Sequence, residues 1–212
     1  ESHQKAAHAT ESKYFDREIL PVEGRNAEGM NDLVMADEGI RFDASLDKLA
    51  GLNPVTEGGV ITAGNASQIT DGAAAVMVCN DAGLKKIQAN PRAEIVSISV
   101  VGDDPVFMLT GPIPASIQAL KTANLTIDDM DLYEVNEAFA PVPLAWAEDL
   151  KADRSKLNVN GGAMALGHPL GATGAKLMTT LLHEMERRES TYGLQAICEG
   201  GGTANATIIK RI

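Results

Sequence analysis

The chain has 212 residues, a net charge of −11 and 44% hydrophobic residues, enough to bury a core as one large domain or parts of two. So acidic a chain offers no general field for nucleic acid or an anionic membrane, and an anionic ligand needs local Lys, Arg or backbone N–H groups. Cys79 and Cys198 lack both CxxC spacing and a histidine cluster, which argues against a metal site and suggests reduced thiols.

No apolar run is long enough to cross a bilayer. The first residue is Glu1, not Met, and it opens into helix-like sequence. That reads as a start in mid-domain, so any targeting segment is expected upstream and the working localisation is cytoplasmic.

Residues 1–14 are Ala-rich and charged, which predicts a helix with His3 and His8 solvated. Residues 18–23 suit a short strand. A loop-rich stretch with many glycines runs to about Gly59, with one short helix at 45–50 turning Leu46 and Leu49 inward; so much irregular sequence suggests a binding lid or inserted domain. The run 73–79 has the length and β-branched content of a buried strand, and Cys79 at its end reads as a small core residue.

The pattern is regular from residue 94. A strand at 94–101 precedes a helix opened by Gly111-Pro-Ile-Pro114, with proline in its first turn and Ile113, Ile117 and Leu120 on one face. A strand at 131–135 precedes a helix at 140–151 with Val142, Trp146 and Leu150 at core spacing. A third strand, 157–160, leads through a loop with five glycines in fifteen residues into a helix at 172–188. Met178, Leu181, Leu182 and Met185 form its apolar face and His183 lies among charges. Strands at 192–198 and 203–210 flank a turn at 199–202. Strands alternating with helices imply an α/β fold with a largely parallel sheet covered on both faces and ending in a hairpin.

Three strand ends carry chemistry. Asn136 follows the second strand of this region, His168 sits in the glycine loop after the third, and Cys198-Glu-Gly-Gly-Gly202 follows the fourth. In open α/β sheets ligands gather at the carboxyl ends of strands. Asn offers a neutral amide, His a proton carrier near neutral pH, and Cys a thiol beside glycine N–H groups that can steady an oxyanion. Taken singly, each has a plain reading as a cap, a turn or packing. Gly171-Ala-Thr-Gly-Ala-Lys176 lacks the spacing of a Walker loop, and no dinucleotide-binding glycine fingerprint follows a strand.

The motifs NEAFA (136–140), NxNGGAxALGHPLGATGA (158–175) and CEGGGxANATI (198–208) resemble the three C-terminal signatures of the thiolases, the acetyl-CoA acyltransferases. GGVITAGNASQITDGAAA (58–75) and PVFMLTGPIPA (105–115) extend the resemblance over essentially the whole chain. It implies a thiolase-like β-α-β-α-β-α-β-β half with a mixed sheet covered by helices, plus the remnant of a loop domain. Residues 1–69 would end the loop domain, 70–90 would be the last strand and helix of the N-terminal half, and 91–212 the C-terminal domain.

By the same resemblance, His168 would activate a nucleophilic cysteine and polarise the acyl thioester oxygen. Cys198 would be the general base and acid at the α-carbon. Asn136 would hold a water that completes, with His168, an oxyanion hole, and the Gly200 N–H would belong to a second one. Ser67, Ala63, Met108 and Phe139 would line the pantetheine tunnel, and Arg41 would contact the CoA nucleotide. No cofactor or metal is implied, because CoA thioesters are substrates; a homodimer or homotetramer is expected.

The family's acylated cysteine belongs to the N-terminal half, and nothing here resembles its motif. The implied function is an acyl-CoA C-acyltransferase that cleaves 3-ketoacyl-CoA or condenses acetyl-CoA, inactive as the isolated fragment and dependent on the missing half. The alternative is a catalytically incomplete fragment that binds CoA thioesters. A condensing enzyme with two histidines is the third reading, against which stands Cys198 where such enzymes would place a histidine. A catalytic Cys198 is expected to be alkylated faster than Cys79 and to be protected by CoA.

Overall fold

The computed structural model describes residues 1–26 and 28–212. At its centre is a four-stranded sheet ordered β3-β6-β5-β4, with β3 at Ala93–Gly102, β4 at Leu132–Val135, β5 at Tyr192–Glu199 and β6 at Thr203–Arg211. The β4–β5 pair is parallel, whereas β5–β6 and β3–β6 are antiparallel. The sheet is therefore mixed and not largely parallel: the hairpin strand β6 sits inside it, between β5 and β3.

Two helices cover one face, α4 at Pro112–Ala123 and α5 at Pro141–Leu150; α7, at Thr173–Arg188, covers the other. Proline in the first turn of α4 and α5 loses no helical hydrogen bond there. The buried side of α4 is Pro112, Ala115, Ser116, Ala119 and Leu120, while the expected Ile117 is exposed. Small residues let α4 lie close on β6, so close that a Cβ on Gly111 would stand 2.7 Å from the Ala204 Cβ. Ser116 accepts the Trp146 indole N–H at 2.8 Å and donates to the Pro112 carbonyl at 2.7 Å. Trp146, Tyr133, Met130, Leu194 and Ile208 fill this core. Leu132, Leu181, Met185 and Ile209 form the smaller core under α7. Coverage of that face stops short of β3, whose Ile98 and Val100 are exposed.

The expected third strand is reduced to one parallel bridge, Tyr133 to Leu157. Asn158 has a left-handed φ of 43°, and its side-chain amide takes both backbone groups of Val135, each at 2.9 Å. A side chain thus replaces the main-chain neighbour that β4 would otherwise have on this edge.

Helix α1 spans Ser2–Glu11 and ends before Lys13, whose φ is 59°. It packs on the short α6, Ala163–Leu166, with Ala6, Ala9, Phe15, Ile40, Ala165 and Leu166 forming a third cluster. His8 is exposed, but His3 is not merely solvated: its Nδ1 accepts the Arg41 amide at 3.0 Å. Strands β1 (Val22–Arg25) and β2 (Asn31–Val34) form a peripheral antiparallel hairpin. Ser45 caps α2, Leu46–Ala50, whose Leu46 and Leu49 are exposed and do not turn inward.

Residues 73–79 form no strand, and every one of them is exposed, Cys79 included. An apolar strand needs a neighbour for its backbone groups, and among the described residues none pairs with it. Helix α3, Asp81–Ile87, follows it and buries nothing.

His183 is tucked in, 12% exposed, donating from Nδ1 to the Thr179 carbonyl at 2.8 Å, with Glu18 Oε2 3.6 Å away. Burial is the main cause pushing the Glu18 carboxyl up to about 7; Asp37 and Glu184 add to it, and Lys176 and Thr180 oppose it. A raised carboxyl means that the folded chain holds its proton more tightly than the unfolded chain. This contribution is complete below pH 4.5 and is lost as pH rises through 7. Glu18→Gln is expected to raise the midpoint of thermal unfolding at pH 8, by up to about 3 kcal/mol of stability, and to change little at pH 5. Melting curves at the two pH values check this.

Candidate active site

The site stands at the carboxyl end of the parallel pair β4–β5. Leu132 packs under α7, and Asn136, directly after β4 and still bonded through its N–H to the Ala196 carbonyl at 3.0 Å, turns its amide to the loop after α6. Its Nδ2 lies 3.3 Å from His168 Nε2. The other ring nitrogen, Nδ1, is 2.6 Å from Thr173 Oγ1. That hydroxyl gives its proton to the Pro169 carbonyl at 3.0 Å, so at Nδ1 it must accept. Nδ1 therefore carries the ring proton, and Nε2 turns a lone pair toward Asn136. Burial first, then the Lys176 ammonium, holds the imidazole below its ordinary pKa, so it is neutral near pH 7. A neutral imidazole with a fixed tautomer can take a proton at Nε2 and return it.

The backbone of the loop is held from the other side. His168 N–H donates to the Gln68 carbonyl at 3.1 Å, and Gln68 Nε2 reaches the Gly39 and Met164 carbonyls at 2.8 Å each. Gly167 has a φ of +82°, and a Cβ there would stand 2.3 Å from Thr70 Oγ1, so the turn before His168 admits only glycine.

The other expected residues fall into two groups. Ser67 and Phe139 are adjacent: Ala66 bridges to Phe139, and the Ser67 amide donates to the Ala138 carbonyl at 3.0 Å. The segment holding Met108 lies against the β5–β6 turn, where the Asp103 amide bonds the Gly202 carbonyl at 2.6 Å. Gly200 is exposed at the tip of that turn. Ala63 and Arg41 are exposed, and the Arg41 backbone donates to His3 and accepts the Ala44 amide at 3.2 Å.

Cys198 is buried at the end of β5 and packs in the core of the α4–α5 face with Leu194 and Ala196. No hydrogen bond among the described residues joins the thiol to Asn136 or His168. Burial is the main cause pushing this thiol up, and Glu199 adds to it. The expected order of alkylation is therefore reversed for the chain by itself. Exposed Cys79 is expected to react with iodoacetamide at pH 8 at least about tenfold faster than Cys198, because access and thiolate fraction set the rate. Peptide mass spectrometry over a time course reads it.

Sequence reasoning named no role for Thr173, Glu137, Asn158 or Glu134. Thr173 and Asn158 lie inside the quoted motifs, five and ten residues from His168. Glu134 carried a signal of its own, a carboxyl in the middle of an apolar strand. It is 2% exposed, burial pushes its pKa well up, and its Oε2 has no partner among the described residues. Among the described residues no cluster of His, Cys, Asp and Glu could hold a metal, and no helix is long and apolar enough to cross a membrane.

Residues 1–82 match the family "Thiolase, N-terminal domain" and residues 89–211 match "Thiolase, C-terminal domain". The chain is 54% identical over 211 residues to a steroid 3-ketoacyl-CoA thiolase of Mycobacterium tuberculosis, covering all of this chain and 50% of that protein. It is 45% identical over 212 residues to an acetyl-CoA acetyltransferase of Synechocystis, covering all of this chain and 53% of that protein. Among solved structures it is similar to human mitochondrial 3-ketoacyl-CoA thiolase, with a TM-score of 0.91 and 40% identity over 53% of that chain. The Bacillus anthracis acetyl-CoA acetyltransferase gives 0.94 and 40% over 54% of its chain. All of this chain is covered in both structural matches, and it spans about half the length of the curated relatives it matches.

Proposed function

The chain belongs to the thiolase family, and from that membership we propose that it supplies the acid–base portion of an acyl-CoA C-acyltransferase. The reaction is thiolytic cleavage of a 3-ketoacyl-CoA or its reverse, Claisen condensation of acetyl-CoA. The relatives' names range from acetyl to steroid 3-ketoacyl substrates, and a CoA thioester is common to them.

In thiolysis His168 Nε2 takes the proton of a nucleophilic cysteine; the thiolate adds to the 3-keto carbon and the bond from that carbon to the α-carbon breaks, giving the acyl thioester and the enolate of acetyl-CoA. As imidazolium, His168 faces the developing enolate oxygen, with a water held by the Asn136 amide as second donor. Cys198 removes the α-proton in condensation and returns it in thiolysis. The Gly200 N–H faces the tetrahedral oxyanion. An α-carbon next to a thioester is too weak an acid for a thiolate unless the enolate is stabilised as it forms, and preorganised donors do that for several kcal/mol. Ser67, Phe139, Met108 and Ala63 line the pantetheine path, and Arg41 meets the nucleotide.

The observation that carries this reading is the Asn136–His168 contact of 3.3 Å, with Thr173 fixing the tautomer. The nucleophile comes from a thiolase N-terminal half. The exposed apolar run 73–79 supports this, since it pairs with no strand among the described residues and lies within the stretch matched by the N-terminal family domain. The isolated chain is expected to show no thiolysis of acetoacetyl-CoA, and mixing with such a half restores it. Turnover by the purified chain alone, or none after a stable complex forms, would refute the assignment. The second reading, a CoA-thioester-binding fragment without turnover, is favoured by the buried thiol of Cys198 and predicts the second of those failures.

A further inference from the structure

Glu137 is buried, 6% exposed, and no Lys, Arg or His among the described residues pairs with it. A buried carboxylate without a cation must be satisfied by neutral donors. Its Oε2 accepts the Ser2 hydroxyl at 2.7 Å and the Met164 amide at 3.2 Å, and its Oε1 accepts the Asn158 side-chain amide at 3.1 Å. The loop closes around it: a Cβ on Gly162 would stand 2.2 Å from the carboxyl carbon, and the Gly162 amide donates to Ser2 Oγ at 2.9 Å.

These contacts join two pieces that meet again at the site. Glu137 directly follows Asn136 at the end of β4. Met164 lies in the four-residue α6, which leads through Gly167 to His168. Asn158 holds Val135, just before Asn136. The 3.3 Å contact between Asn136 and His168 thus has a second tie behind it, between the same two segments.

We propose that Glu137 is a positioning residue: by binding the start of α6 and the Asn158 amide together, its carboxylate sets the distance and aim of the Asn136 amide toward His168 Nε2. The inference rests on the roles given to Asn136 and His168 above. Both oxygens of Glu137 work as acceptors toward donors on two sides. A glutamine amide cannot replace them, because whichever way it turns, one side meets N–H against N–H. In Glu137→Gln the Asn136 amide loses its registration and Nε2 loses its donor.

The test uses the 212-residue chain labelled with ¹⁵N in its histidine rings, and then the same chain assembled with a thiolase N-terminal half. At pH 8, Glu137→Gln is expected to move the His168 Nε2 resonance toward that of an unbonded acceptor while Nδ1, held by Thr173, stays protonated. Gly162→Ala, which wedges a methyl group against the carboxylate, is expected to do the same from the other side. In the assembled enzyme kcat falls about 10- to 100-fold with KM little changed, as expected when a reacting group is misplaced rather than substrate binding lost. Variants that melt earlier yet keep the wild-type His168 resonances would overturn the proposal and leave Glu137 a structural residue only. A shifted Nε2 resonance in a chain that never gains activity would uphold the positioning role and count against the enzymatic reading instead.

Discussion

Replacing His168 by alanine in the assembled enzyme is expected to lower kcat/KM for thiolysis by about a thousandfold, within the range usual for a positioned acid–base group. The change removes the Nε2 lone pair that Asn136 faces and the Nδ1 proton that Thr173 accepts, so no neighbour can take over the proton. The fold is expected to survive, because the turn is held by the His168 backbone on Gln68 and by Thr70 over Gly167, neither of which needs the ring. Circular dichroism should match the wild type. Thr173→Val is expected to act more weakly in the same direction, since the ring stays in place with its tautomer freed. A loss of less than tenfold in His168→Ala would take the imidazole out of the reaction.

Trp146→Ala is expected to destabilise the chain by about 3–5 kcal/mol, the range for truncating a large buried aromatic side chain. Trp146 is fully buried, meets Tyr133 edge-on with ring centroids 5.2 Å apart, and donates to Ser116. Alanine leaves a cavity between α5, α4 and β4 and takes away the partner of the Tyr133 ring and of the Ser116 hydroxyl. Trp146→Phe is expected to recover most of the loss, with about 1 kcal/mol remaining for the hydrogen bond. Urea denaturation followed by far-ultraviolet circular dichroism measures both. A loss near 1 kcal/mol for alanine would mean that this core is loosely filled.

The parts of the fold legible in the sequence are those whose partners lie inside it. Periodicity placed the start of α4, and both ends of α5, α7, β3, β5 and β6, within a residue or two, because each buries a face against another of the set. It failed where the partner is absent or of another kind. Residues 73–79 have a strand's composition, but composition does not supply a neighbouring ladder. Residues 157–160 have a strand's residues, but Asn158 satisfies Val135 with its side chain instead of its backbone. Alternation of strands and helices alone implies a largely parallel sheet, because the position of β6 between β5 and β3 is a pairing choice it cannot reveal; the mixed sheet implied by the family resemblance is the one found.

The candidate site was legible in the meeting of Asn136 and His168 and less so behind it. Asn136 and His168 meet, as the order of the strand ends suggested. Cys198 packs with Leu194 and Ala196 in the core under α4 and α5, and no hydrogen bond among the described residues ties its thiol to Asn136 or His168. Residues such as Glu137 and Thr173 act through hydrogen bonds that close only in three dimensions, so nothing local distinguished them from caps.

In the proposed function Cys198 exchanges a proton with the α-carbon of a CoA thioester beside the Asn136–His168 pair. The most direct measurement is deuterium wash-in from D₂O into the methyl group of acetyl-CoA, read by mass spectrometry. It uses this chain assembled with a thiolase N-terminal half whose nucleophilic cysteine has been changed to alanine, so that acyl transfer is silent. The account predicts incorporation well above the buffer rate that disappears in Cys198→Ala. Incorporation at the buffer rate in the assembled chain, or unchanged incorporation in Cys198→Ala, would contradict it.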